Sequence, residues 1–196
     1  MDLEKKIALA KIPTPENFGK NIRRYKELLM KWNKVHNLTG AKNERMLDEF
    51  IFDSLYPLSF LEAPKTLLDI GTGAGFPGMI LAMALPETEV TLAEPLSKRA
   101  GFLQFVKASL GLENVHVERK RAEELPPNAF DLITSRAVTD TSLLMRISEH
   151  LRNENTKLLF YKGERVFDEV EESLPHKVII TQNRHYLLID KELKND

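Results

Sequence analysis

The chain has no cysteine among its 196 residues. That excludes disulfides, thiolate metal sites and a cysteine nucleophile. It has no apolar run near the ~18–20 residues a membrane span needs. Its start, Met-Asp-Leu-Glu-Lys-Lys, lacks the apolar core of a signal peptide, so a cytoplasmic protein is expected. Neither sign of charge dominates: the net charge is −1, and the total alone predicts no polyanion partner. The distribution is uneven. Residues 1–45 hold eleven Lys and Arg against five Asp and Glu, so a basic front sits on an acidic remainder. This asymmetry fits a nucleic-acid-facing module, and equally a solvated, lysine-rich helix face. Glycine is also scarce, nine in all, yet Gly71, Gly73, Gly75 and Gly78 crowd into one stretch.

That stretch organises the chain. Thr66-Leu-Leu-Asp69-Ile70 is a short apolar run holding one acid, then come the glycines, then an apolar segment from Met79 to Leu85. The pattern predicts strand, tight turn and helix. Glycine at such a turn tolerates positive φ and lets the backbone approach a ligand. The helix start aims free N–H groups at the same space.

Upstream, Phe18, Ile22, Tyr25, Leu28, Leu29, Trp32 and Val35 recur at helical steps and predict a helix over 14–36, with Thr14-Pro15 as its cap and first turn. Trp32 on that face reads most simply as core. A second helix is predicted from Asn43 to Phe60, with Pro57 near its end. From Thr66 onward strands and helices alternate: strands at 66–70, 89–94, 115–118, 130–135 and 157–161, helices at 78–85, 97–110, 141–151 and near 167–173. Two final strands, 177–181 and 186–190, are joined by Gln182-Asn-Arg-His185, a length that makes a hairpin. The expected fold is α/β: a Rossmann-like, mostly parallel seven-stranded sheet with an antiparallel C-terminal edge. Residues 1–63 form a helical extension and 64–196 the cofactor-binding domain.

Three nucleotide-binding patterns compete for the glycine loop. A phosphate loop needs lysine after its last glycine, and Met79 stands there instead. The dinucleotide fingerprint is spelled by Gly73-Ala-Gly75-Phe-Pro-Gly78, but the strand ends at Ile70, so Gly71 takes the first place and Gly78 falls late. Asp69 would also meet a pyrophosphate as a like charge. S-adenosylmethionine, with an ammonium and no phosphate, suits Asp69, Gly71, Gly73 and Gly75 better. Glu94, at the end of the second strand, is placed for its ribose hydroxyls, and Arg121-Ala122-Glu123-Glu124 after the third strand borders the adenine. The class is then a class I S-adenosylmethionine-dependent methyltransferase. A non-catalytic RNA-binding module on the same fold and an NAD(P)-dependent oxidoreductase remain the alternatives.

The acceptor is narrowed by what is missing. Pyrimidine C5 methylation normally uses a cysteine. Exocyclic amine methylation usually relies on an Asn/Asp-Pro-Pro-aromatic loop after the fourth strand, where this chain has Ser135-Arg136-Ala137-Val138. Guanine N7 has an in-plane lone pair and no proton to lose, so transfer needs in-line positioning more than a base. O-methylation and small-molecule acceptors stay open on these grounds. Arg136, at the C-terminal end of a strand, is the best candidate for a reactive-site role.

Lys31-Trp32-Asn33-Lys34-Val35-His36-Asn37-Leu38-Thr39, Asp53-Ser54, the glycine stretch, Lys98-Arg99, Ser135-Arg136-Ala137, Lys162-Gly163 and Arg184-His185 occur in this order. Together they resemble the bacterial glucose-inhibited division protein B family, guanine-N7 methyltransferases of 16S ribosomal RNA. The Trp-Asn…Asn-Leu-Thr segment carries the specificity of that resemblance. The resemblance implies a cofactor pocket on Gly71, Phe76, Ala122, Glu123 and Arg136. It implies a target guanine in a decoding-region hairpin of the small ribosomal subunit. Relatives commonly show Asp-Ser where this chain has Glu94-Pro95, and the longer acid still reaches a ribose. Asn33 and Asn37, helix-end and turn formers by type, join Lys162 and Arg184 as candidates for RNA contact. His36 and His185 have no metal-spaced partners, and no metal is expected. A monomer acting on rRNA, away from any membrane, is the expected form.

Overall fold

The computed structural model describes residues 2–136, 139–170 and 173–193. Ala137 and Val138, after the Ser135-Arg136 pair, lie outside them, as do Glu171 and Glu172 of the expected 167–173 helix.

Three helices precede the sheet. α1 (Leu3–Leu9), which the sequence reading did not single out, is capped by Asp2, whose side chain accepts from Lys5 N. α2 (Phe18–His36) starts four residues later than Thr14-Pro15 suggested. Phe18 N bonds to Pro15 O, so residues 15–18 close a tighter turn and the regular ladder begins only at Asn17 O. α2 ends where Asn37 turns left-handed at φ 50°, a conformation asparagine tolerates. α3 (Glu44–Leu55) is capped by Asn43 and stops short of Phe60, giving way to a tight helical turn over Tyr56–Ser59. Pro57 explains the break. It has no N–H to return to Asp53 O, and that carbonyl instead accepts from Tyr186 Oη at 2.9 Å, while Ser54 O accepts from Tyr161 Oη at 2.9 Å.

The sheet follows as β1 (Thr66–Ile70), β2 (Glu89–Ala93), β3 (Val115–Glu118), β4 (Leu132–Arg136), β5 (Lys157–Lys162), β6 (His176–Ile180) and β7 (His185–Ile189), in the order β3-β2-β1-β4-β5-β7-β6. Strands β1 to β5 pair in parallel, and β7 pairs antiparallel with both β5 and β6. The expected mostly parallel sheet with an antiparallel edge is what forms. Between strands lie α4 (Gly78–Ala84), α5 (Ser97–Leu110), α6 (Thr141–Ile147) and α7 (Val166–Glu169). α4 is buried on every side, as expected of a helix apolar all round. Gly111, left-handed at φ 63°, closes α5.

Strand alternation sorts the residues onto two faces. Leu67, Leu92, Leu132, Tyr161 and Tyr186 face α1 to α5, while Leu68, Ile70, Ile133, Phe160 and Leu187 face the α6–α7 side. Helices α1 to α3 share the first of these clusters with α4 and the sheet. The front of the chain is therefore packed into the same apolar core as the sheet.

Candidate functional site

Strand order reverses between β1 and β4, and open parallel sheets bind ligands beyond the strands' carboxyl ends at such a point. A cleft of about 800 Å3 opens there, within the range of cofactor sites. Its lining comes from the β1–α4 turn (Gly71 to Ala74, and Phe76), from Glu94 to Leu96 and Arg99, from Lys120 to Glu123, from Arg136 and Thr139, and from Leu38, Thr39 and Phe50 of the helical front.

The glycine turn is tied to its neighbours by backbone. Gly71 N and Thr72 N bond to Ala93 O, and Tyr25 Oη donates to Ala74 O at 2.7 Å. Gly71, Gly73 and Gly75 all have positive φ. A Cβ on Gly73 would meet nothing within 4 Å, so its α-carbon opens on the cleft. Glu94, only 2 % exposed, accepts through both oxygens: Oε2 takes Gly73 N of the turn and Oε1 takes Leu96 N of its own loop, each at 2.9 Å. A carboxylate has about four acceptor sites, so two remain for hydroxyl donors. Ala122 and Glu123 sit in a tight turn that Arg121 N and Glu124 close with a 2.7 Å bond.

Asp69 does not face this cleft. Alternation along β1 puts it on the same side as Leu67, towards α4. Its Oδ2 accepts from Gly78 N at 2.7 Å and its Oδ1 from Thr134 Oγ1 at 3.1 Å, with the side chain fully buried. Burial pushes its pKa up to about 6, against the pull of those donors and of Arg136. The Thr72 hydroxyl also helps hold that pKa down, although no hydrogen bond joins its Oγ1 to the carboxylate. The expectation that Asp69 receives an ammonium fails for this reason. Gly75 is likewise behind the wall, where a Cβ would strike Met79 Cβ at 2.6 Å. Gly78 takes the close-packing place after all, since a Cβ there would lie 2.4 Å from Leu92 Cδ2 and 2.7 Å from Asp69 Cβ. The dinucleotide pattern is disfavoured on different grounds from those read in the sequence: the helix N–H that a pyrophosphate would use is already bonded to Asp69.

Arg136 is placed as expected. Its guanidinium lies 4.4 Å over the Phe50 ring and 5.6 Å from Phe76. Burial lowers its pKa, helped by the like charge of Arg184 and opposed by Asp53, yet a guanidinium stays protonated. Its Nη1 is buried and bonded to nothing among the described residues, and the same holds for Thr72 Oγ1. Both residues line the cleft. Two orphaned polar atoms and a glycine opening beside an acid fit a ligand carrying carboxylate and hydroxyl groups, as S-adenosylmethionine does.

The four candidates for RNA contact are placed differently. Lys162, 8 % exposed, lies on the α6–α7 side and donates to Thr139 O at 2.8 Å and to Glu169 Oε2 at 2.6 Å. Arg184 is paired with Asp53, Nη2 to Oδ2 at 3.2 Å. Neither cation is free for a phosphate, and the reason is the same in each case: a partly buried cation is stable only when paired. Asn33 Oδ1 accepts from Thr39 N at 2.8 Å, so with Asn37 it shapes the loop that carries Leu38 and Thr39 to the cleft. Thr72, Arg99, Phe50 and Thr139 were missed. Of these Thr72 had a visible cue in its place between two glycines, and Arg99 one in the Lys98-Arg99 pair.

This sheet order, with a glycine turn after β1 bonded to an acid after β2, is the fold of S-adenosylmethionine-dependent methyltransferases. Solved structures share the fold: a methyltransferase from Pyrococcus furiosus has TM-score 0.60 over 90% of this chain and 99% of that one at 18% identity. One from Geobacter sulfurreducens has TM-score 0.59 over 87% and 88% at 11% identity. Sequence is more specific. The model of the family described as rRNA small subunit methyltransferase G matches residues 19–194. The chain is similar to a protein of Wolinella succinogenes named ribosomal RNA small subunit methyltransferase G, 48% identical over 90% of this chain and 91% of that one. A protein of the same name from Aliarcobacter butzleri is 42% identical over 95% and 97%. The chain belongs to the rRNA small subunit methyltransferase G family.

Proposed function

We propose that this chain transfers the methyl group of S-adenosylmethionine to N7 of a guanine in the decoding region of 16S rRNA. The observation that carries the reading is the cleft itself: in a chain of this rRNA methyltransferase family, its described lining holds no histidine and only two carboxylates. Its acids are Glu94, bonded through both oxygens to backbone, and Glu123 at the adenine end. Guanine N7 requires no proton removal, so a site built for alignment suffices.

The cofactor supplies an electrophilic methyl on a sulfonium. The chain's own residues hold the rest. Glu94 accepts from ribose hydroxyls, Ala122 and Glu123 border the adenine, and the Gly71–Gly73 backbone admits the methionine portion. Arg136 pairs with the methionine carboxylate. It is a poor neighbour for the acceptor, because a guanine methylated at N7 gains positive charge and would be repelled. Phe50 and Phe76 wall that side and exclude water. Cytoplasm, as a monomer, is where we place the activity.

Small subunits or naked 16S rRNA from cells lacking the protein, incubated with it and S-adenosylmethionine, should gain one N7-methylguanine. Reduction followed by aniline cleavage maps it to the nucleotide. Methyl incorporation at any other atom would overturn the N7 assignment.

A further inference from the structure

The Trp-Asn…Asn-Leu-Thr segment shapes the cleft through Asn33 and Thr39, but this leaves Trp32 itself unexplained. Trp32 is half-buried between α2 and α5, its ring 5.5 Å from those of Phe102 and Phe105 and 5.4 Å from that of His36. Around it the surface is apolar where a solvated face would be polar. Val35 is 77% exposed and Phe105 44%. On α5, Gly101 is exposed, and a Cβ there would meet nothing within 4 Å. A mid-helix glycine weakens its helix, and no packing requires this one.

Charge singles out the same two segments. From Leu28 to Asn43 and from Pro95 to Leu112 there is not one Asp or Glu, in a chain that carries 29. Within them stand Lys31, Lys34, Lys42, Lys98, Arg99 and Lys107. None of the six pairs with a carboxylate among the described residues. The strip also runs into the cleft. Leu38 and Thr39 line it just beyond His36, and Leu96 and Arg99 line it one turn before Phe102. Phe105 lies six residues past Arg99, about 9 Å along the helix.

We infer that the α2–α5 face around Trp32, Val35 and Phe105 is a docking surface for the single-stranded RNA flanking the target base. Exposed aromatic rings stack unpaired bases, and a carboxylate-free basic border takes their phosphates. Lys31, Lys34 and Lys98 supply that border. The inference rests on the rRNA reading above and adds where the strand leaves the cleft.

Trp32 is the only tryptophan in the chain, so its emission reports on this face alone. Titration of the full chain with single-stranded oligoadenylate, and with naked 16S rRNA, should quench it. Val35→Asp and Lys98→Glu alter exposed side chains and should leave melting and S-adenosylmethionine affinity unchanged. Each places a carboxylate on the path of the strand and should raise KM for rRNA about tenfold, or about 1.4 kcal/mol. Replacing Lys31 and Lys34 together by Gln should flatten the salt dependence of oligoadenylate binding by about 1.4 in log–log slope. Wild-type KM in both variants, with emission unmoved while methyl transfer proceeds, overturns the docking surface and leaves the rRNA reading standing. Quenching by ribosomal proteins but not by RNA overturns it in favour of a protein contact. Absence of any transfer by the wild-type chain strikes the rRNA reading instead.

Discussion

Asp53 on α3 accepts two hydrogen bonds from Arg184 in the β6–β7 turn, a partner 131 positions away, with Nε and Nη2 at 3.3 and 3.2 Å from one oxygen. The two side chains are 10% and 19% exposed. Removing one partner of such a pair strands the other. Asp53→Ala should lose roughly 2–4 kcal/mol, somewhat below the cost for a fully buried pair. Adding Arg184→Met should recover part of that loss, because no charge is then left unpaired. Urea unfolding of the two variants checks this, and a double variant less stable than Asp53→Ala would refute it.

Asp69 makes stability depend on pH in an unusual direction. Its folded pKa is about 6 against an ordinary 3.8, so the folded chain holds this proton more tightly than the unfolded one. By linkage its contribution to stability is greatest below about pH 4 and is lost as pH rises through 6. Asp69→Asn should flatten that segment of the pH–stability curve. Because Asp69 caps α4 and does not reach the cleft, the variant should keep S-adenosylmethionine affinity within about threefold, a change under 1 kcal/mol. Calorimetric binding and melting from pH 4 to 7 measure both.

Two glycines in one turn should separate stability from binding. Gly78→Ala drives a methyl into Leu92 and Asp69 and should cost about 1–3 kcal/mol or more by overpacking. Gly73→Ala meets no atom but holds φ +62°, at a strain of roughly 1–2 kcal/mol, and places its methyl in the cleft. We expect the first variant to melt early and the second to fold with little cofactor affinity and no transfer.

Lys162 ties β5 to Thr139 O, on the cleft rim, and to Glu169. The lysine holds Glu169 below its ordinary pKa although burial works the other way. Lys162→Met leaves Thr139 O without its donor and Glu169 with only its bonds from Thr141 N and Oγ1, and should cost about 1–3 kcal/mol. It should also slow transfer through the loosened rim, with Lys162→Arg retaining more of both. Melting and single-turnover transfer decide it; a Met variant as stable and as fast as wild type would contradict the tether.

The sequence was most legible where periodicity and glycine agree. β1, α5 and β3 begin and end where the pattern placed them, and Gly71, Gly73, Glu94, Ala122, Glu123 and Arg136 do line one cleft. It was least legible where a charge has two possible destinations. Asp69, Lys162 and Arg184 read as surface or ligand-facing groups, yet each is bonded inside the chain. For Asp69 the cue existed: two residues after Leu67 on a strand, it had to share that residue's face. For Lys162 and Arg184 no local pattern names the partner, because Glu169 is folded back by α7 and Asp53 is brought in by a distant helix.

The tyrosines that take the carbonyls of Asp53 and Ser54 stand on β5 and β7. During synthesis α3 leaves the ribosome long before either strand exists. Its end therefore waits, without these two partners, until β5 and then β7 are translated. A chain cut short before β7 would keep its front helices packed against α4 and α5 but leave Asp53 O without the Tyr186 hydroxyl.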